Sequence, residues 1–153
     1  MITVGVISDT HGLLRPEAVE MLRGSDLILH AGDIGAPWII DSLMTIAPVR
    51  AIRGNTDREP WAQRMPDSIE VEVEDTRILV VHDAQAVRGG WMGTRCASVV
   101  CGHSHQPLME ECDGVLFFNP GSAGPRRFSL PVSVGKLYVE GARVRGKILI
   151  VRP

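Results

Sequence analysis

The sequence predicts a single α/β domain spanning residues 1–153, and three observations carry that expectation. Short, nearly continuous apolar runs recur along the chain, as expected of strands in a parallel sheet covered by helices. Segments with the start and stop residues of helices lie between the first of these runs. At 153 residues, 44% apolar and 22% charged, the chain has the size and composition of one compact domain with an ordinary core.

Residues 2–7 form the first run, Ile2-Thr3-Val4-Gly5-Val6-Ile7, and residues 27–29, 49–52, 78–81 and 99–101 form the next four. Their length and β-branching mark them as strands rather than buried helices. Residues 15–24 carry Pro16 early, Glu17 and Glu20 in the body and Arg23-Gly24 at the end, which predicts a helix. Residues 36–46, with Pro37 near the start, predict a second. The first 55 residues therefore read β-α-β-α-β, implying a parallel sheet with right-handed crossovers. Residues 68–74 and 77–81, separated by Asp75-Thr76, predict a hairpin. Residues 115–118, 132–139 and 145–151 are further strands, expected to form a second, mostly antiparallel layer.

Composition excludes several classes. A net charge of −2 lacks the electrostatic footprint of a duplex-nucleic-acid or anionic-membrane binder. Fourteen of the sixteen basic residues are arginine, a bias read as genomic base composition rather than phosphate recognition. The start of the chain has no basic flank of a signal peptide, and no apolar run approaches the ~18 residues of a membrane span, so a cytoplasmic location is expected. Cys96, Cys101 and Cys112 lack CxxC spacing and are read as reduced thiols, Cys101 as a small buried hydrophobe.

The functional signal is positional. Successive strand ends run into Ser8-Asp9-Thr10-His11-Gly12, His30-Ala31-Gly32-Asp33, Arg53-Gly54-Asn55-Thr56-Asp57, His82-Asp83 and Cys101-Gly102-His103-Ser104-His105. In α/β sheets the ligand site lies outside the carboxyl ends of the strands, so these groups should converge. Mixed carboxylate, amide and imidazole donors suit Mn²⁺, Fe²⁺ or Zn²⁺. Seven such donors, Asp9, His11, Asp33, Asn55, His82, His103 and His105, exceed what one ion with open positions can use, and divide between two ions sharing a carboxylate.

These ordered blocks, Asp-x-His, Gly-Asp, Gly-Asn-x-Asp, His and Gly-His-x-His, resemble the calcineurin-like metallophosphoesterase superfamily. The short length and the Asn119-Pro120-Gly121-Ser122 turn are most similar to its small single-domain phosphodiesterases of bacteria and archaea, a group that shares its fold with the eukaryotic retromer scaffold subunit. The resemblance implies a four-layer α-β-β-α sandwich of two mixed sheets packed face to face and flanked by helices. It places one divalent metal ion on Asp9, His11 and His105 and a second on Asn55, His82 and His103, with Asp33 as bridge and with Asp33, Asn55 and His103 taking part in catalysis. Manganese is the ion expected, with iron, zinc, nickel or cobalt compatible. The implied reaction is in-line attack on a small phosphodiester by a hydroxide that bridges the ions. The alternatives are a scaffold of the same fold without catalysis, and a phosphomonoesterase or nuclease. A homodimer is the expected oligomeric state.

Two departures matter. The superfamily's Gly-Asn-His-Asp block has Thr56 in place of its histidine, which removes a general acid. His82 is followed by Asp83, whose roles stay open among ordering His82, binding metal and facing solvent. His30 and Asp57 are assigned to supporting hydrogen bonds, Asn119 and Ser122 to shaping a loop beside the site. Arg58, Arg126 and Arg127 are the arginines nearest the motifs, open between phosphate contact and solvent. Trp38, Trp61 and Trp91 are assigned to packing rather than base stacking.

Overall fold

The computed structural model describes residues 1–88 and 96–153. Its first sheet contains three parallel strands, β1 (Ile2–Ile7), β2 (Leu27–His30) and β3 (Val49–Ala51), followed in space by the antiparallel pair β9 (Val132–Glu140) and β10 (Arg143–Arg152), in the order β10-β9-β1-β2-β3. The second sheet has the order β4-β5-β6-β8-β7, built from β4 (Ser68–Val73), β5 (Thr76–Val81), β6 (Ser98–Val100), β7 (Leu108–Cys112) and β8 (Val115–Asn119). In it β5, β6 and β8 run parallel, while β4 and β7 are antiparallel edges.

Strand alternation sorts the apolar side chains into layers. Val4, Val6, Leu29, Val80, Val100 and Leu137 point between the sheets, while Ile7, Ile28 and Val134 point outward beneath the helices α1 (Pro16–Leu22) and α2 (Pro37–Met44). Both helices begin with proline at an N-terminal position and direct Ala18, Leu22, Ile39 and Leu43 into that outer layer. The outer face of the second sheet carries Leu79, Val81, Val99, Cys101 and Phe117, covered among the described residues by the single-turn α3 (Gln85–Arg88) through Val87. The four layers are thus thick on one side and thin on the other.

The C-terminal strands differ from the sequence expectation. They do not build the second layer: β9 and β10 join the first sheet, antiparallel to β1, and only β8 lies in the second, parallel to β6. The reason is that β1 is buried on both faces and sits mid-sheet, so β2 satisfies one edge of its backbone and another strand must satisfy the other. The short strand β7, the 3₁₀ turn Pro60–Arg64 and α3 were not foreseen. Cys96 and Cys101 are buried, Cys112 is exposed, and all three are free. Among the described residues no helix is long and apolar enough to cross a membrane.

One aromatic locks the sheets together. The fully buried Phe118 ring lies between β9 and β10 at two glycines: a Cβ on Gly135 would stand 2.5 Å from its Cε2, and one on Gly146 would stand 2.8 Å from its Cε1. Phe118→Ala is therefore expected to cost about 3–5 kcal/mol, and Gly135→Ala about 1–3 kcal/mol by overpacking. Denaturant melts check both, and a cost below ~1 kcal/mol for Phe118→Ala would refute this packing.

Candidate metal centre

Every parallel strand delivers a loop to the same end of the sandwich. From the first sheet come residues 8–12 after β1, 31–35 after β2 and 52–57 after β3; from the second come 82–83 after β5, 101–105 after β6 and 120–124 after β8. The backbone there is strained. Of the eight non-glycine residues with left-handed φ among those described, five are Asp9, His11, Asp33, His103 and His105. Such conformations cost of order 1–3 kcal/mol each and persist where the surroundings impose them. Gly32, at φ +99°, marks a close crossing of three loops, since a Cβ there would stand 2.8 Å from both Gly54 N and His82 Nδ1.

The centre is built around two buried carboxylates. Asp9 Oδ2 accepts hydrogen bonds from the Ser8 hydroxyl at 2.8 Å and the His103 N–H at 3.1 Å, which leaves Oδ1 buried without a partner. Asp33 Oδ1 accepts the Thr56 N–H at 3.0 Å, so its Oδ2 faces His82 Nε2 at 3.2 Å and His11 Nε2 at 3.7 Å. Asp9 Oδ1 lies 3.5 Å from His105 Nε2, 3.9 Å from His82 Nε2 and 4.0 Å from His11 Nε2. Donor atoms of Asp9, His11 and His105 form one group within 4.8 Å of one another, and those of Asp9, Asp33 and His82 a second.

Proton positions follow from the partners. His82 Nδ1 is 2.7 Å from the Ala31 carbonyl, which can only accept, so Nδ1 carries a proton and Nε2 is the ring atom that faces two carboxylate oxygens. His11 Nε2 and His82 Nε2 are, like Asp9 Oδ1, buried without a hydrogen-bond partner. Orphaned buried acceptors are costly, and three in one cavity with mixed imidazole and carboxylate chemistry fit a divalent cation. Electrostatics agree. Burial raises the Asp9 carboxyl pKa, and burial lowers His105 to about 4, helped by the charges of Arg127 and His11. Burial opposes ionisation of Asp33, but the imidazole of His82, 3.2 Å from its Oδ2, and the Thr56 N–H outweigh it and hold the carboxyl well below its usual range.

The remaining predicted residues divide between support and rim. His30, fully buried, accepts the Gly32 N–H at Nδ1, so Nε2–H donates to Thr10 Oγ1 at 3.0 Å, and that hydroxyl donates to the Ile34 carbonyl. Asp57 accepts N–H groups of Ile34, Gly35 and Gly54, tying the second and third loops together. Asn119 donates to the Gly102 carbonyl and Ser104 Oγ, and Ser122 Oγ donates to the Asp9 carbonyl. His103 is half-exposed, its ring 5.1 Å from that of His82 and its Nε2 3.8 Å from Asp83 Oδ2. The other Asp83 oxygen accepts the Gln85 N–H at the start of α3. Asn55 and Thr56 are exposed at the rim, and Arg58 bonds the Asn55 carbonyl. Arg126 and Arg127 are exposed beyond Gly124. Trp61 packs against the helical layer and Trp38 is exposed on α2, while Trp91 lies outside the described residues. Sequence reasoning missed Ser8, Thr10 and Ser104, whose signal was only their adjacency to the motif residues.

A family model described as the calcineurin-like phosphoesterase superfamily domain matches residues 2–142. A probable metallophosphoesterase of Methanothermobacter thermautotrophicus is 36% identical, covering 95% of this chain and 91% of that protein. A structure described as a novel archaeal phosphodiesterase superposes with a TM-score of 0.80 at 25% identity, over 97% of this chain and 100% of that one. Zinc-complexed Vps29 from Entamoeba histolytica shares the fold at a TM-score of 0.76 and 20% identity, over 97% and 99% of the two chains.

The His30 hydrogen bonds predict a pH effect on stability. Burial, with the charge of His82 next, lowers its pKa from 6.5 to about 3. Between those values the unfolded chain binds the extra proton, so stability is complete above about pH 6.5 and falls as pH drops toward about 3, by up to about 1.4 kcal/mol per pH unit. In metal-free protein, urea melts at about pH 7.5 and about pH 5 should show wild type losing more stability than His30→Gln. A difference between the two proteins that stays constant with pH refutes the assignment.

Proposed function

The chain belongs to the calcineurin-like phosphoesterase superfamily, and from that premise we propose that it is a phosphodiesterase dependent on two divalent ions, manganese foremost, acting on a small phosphodiester in the cytoplasm as a single-domain protein and as a homodimer. The observation that carries this reading is the convergence of Asp9, Asp33, His11, His82 and His105 around buried donor atoms that lack hydrogen-bond partners. Relatives named phosphodiesterases support the diester preference; one, from Methanocaldococcus jannaschii, is 27% identical over 95% of this chain.

Asp9, His11 and His105 would hold one ion and Asn55, His82 and His103 the other, with Asp33 shared, since its Oδ2 faces both His11 and His82. Ions bound there supply Lewis acidity to the phosphoryl group and acidify water. The chain's own residues do the positioning. The Ser8 hydroxyl and His103 N–H fix the Asp9 carboxylate, the Thr56 N–H fixes Asp33, and the Ala31 carbonyl sets the His82 tautomer. Asn55 and His103 would also take part in catalysis, a role their exposure at the rim supports. The likeness to Vps29 favours a second reading, a protein-binding scaffold, and because that neighbour is itself complexed with zinc, turnover rather than metal binding separates the two.

Metal-stripped protein should hydrolyse bis-p-nitrophenyl phosphate only when Mn²⁺ is restored, faster than p-nitrophenyl phosphate, and Asp33→Ala should reduce kcat/KM by at least ~100-fold. Folded protein inactive with every divalent ion supports the scaffold instead. Thr56 offers no acid to a leaving alkoxide, and general-acid help is worth about 10²–10⁴-fold, so rates should fall steeply as leaving-group pKa rises. A flat leaving-group series at rate-limiting chemistry overturns that expectation.

A further inference from the structure

We propose that the cleft bounded by Val81, Ala86 and Val87, opening at Asn55 and His82, binds one uncharged, apolar-faced arm of the phosphodiester, of aryl or nucleoside size. This inference rests on the phosphodiesterase reading and adds to it the chemistry of the group attached to phosphate.

Position is the first observation. The cleft has a volume of about 470 Å³, and around it lie His82, whose Nε2 faces Asp33 at the centre, and Asn55, the ligand proposed from the loop after β3. A phosphoryl group at the centre therefore directs a substituent into it. A second cleft, of about 460 Å³, opens across Asp83 beside His103, Cys101 and Leu108, so the centre is flanked on both sides as a substrate with two arms requires.

Charge is the second. Arg53 is the basic residue lining the first cleft among the described residues, and it is already engaged: Nε and Nη2 donate to the two oxygens of Asp67 at 2.7 and 3.4 Å, and Nη1 to Gln63 Oε1 at 3.5 Å. Asp83 adds a carboxylate to the same lining. An arm carrying a further phosphate or carboxylate would meet that negative charge without a free countercharge. Val81 and Val87 belong to the apolar layer on the outer face of the second sheet, which continues into the cleft and offers surface to a ring.

Dimethyl and diphenyl phosphate carry the same single charge and differ only in their arms. Calorimetric titration onto manganese-loaded protein should show diphenyl phosphate binding roughly 10-fold or more tighter, from apolar area buried in the cleft. Ala86→Phe, on exposed α3, and Ser68→Phe, beside Val81 at the exposed start of β4, should each reduce that preference at least about 5-fold by filling the space. Bis(4-carboxyphenyl) phosphate should bind more weakly than diphenyl phosphate. Equal wild-type affinity for the two phosphates, or variants that weaken both alike, overturns the inference. Titration needs no turnover, so the two readings fail separately: selective binding without hydrolysis of any diester refutes the enzyme and keeps the cleft, and hydrolysis without arm preference refutes the cleft alone.

Discussion

Burying Asp9 and Asp33 side by side is the constraint on which the rest of this structure depends. Taking carboxylates out of water is expensive unless charge and hydrogen bonds replace the lost hydration. Here the hydrogen bonds are supplied by Ser8, His103 and Thr56, whereas the ion-pair partners among the described residues are imidazoles rather than guanidinium or ammonium groups. Imidazoles are neutral or charged according to need, and as neutral rings they donate lone pairs. A protein that wanted only to stabilise the pair would use arginine, of which this chain has fourteen.

The loops are shaped to hold that arrangement against their own preferences. Five donor or acceptor residues adopt left-handed backbone, and each strained loop is fastened to a neighbour by a buried polar bond. His30 and Thr10 join the first loop to the second, Asp57 joins the second to the third, and Ser122 joins the last loop to Asp9 itself. The two sheets contribute jointly: Asp9, His11 and Asp33 follow strands of one, His82, His103 and His105 follow strands of the other. The inter-sheet core therefore sets the distance between the halves of the site, which links packing around Phe118 to chemistry at the far end of the strands.

The flanks of the centre show how a common donor set acquires selectivity. The donors are carried by loops at strand ends, whereas the apolar side chains of both clefts come from the second sheet, the loops that follow it and α3, with Arg53 and Asn55 of the loop after β3 completing the first cleft. Asp83 sits between the clefts, capping α3 with one oxygen and facing His103 with the other, so the same residue shapes the wall and charges it.

Much was legible in the sequence for a simple reason. Strand identity is local, since β-branched runs such as residues 2–7 and 78–81 carry it in their own pattern, and both are strands in the structure, β1 and β5. The parallel order of β1, β2 and β3 followed from the intervening helices, and the motif residues at their ends could be placed together because strand ends in one sheet share an edge. Which sheet the C-terminal strands joined was not legible, because pairing is settled by which edge of β1 remains open rather than by any residue in β9. The short, exposed β7 and the single-turn α3 carried too little periodicity to be seen. At the site, the sequence by itself determined which side chains could bind a cation. Only the tertiary structure decided which oxygens and nitrogens were left bare, because that depends on Ser8, Thr56 and the Ala31 carbonyl satisfying the opposite atoms of the same groups across long stretches of chain.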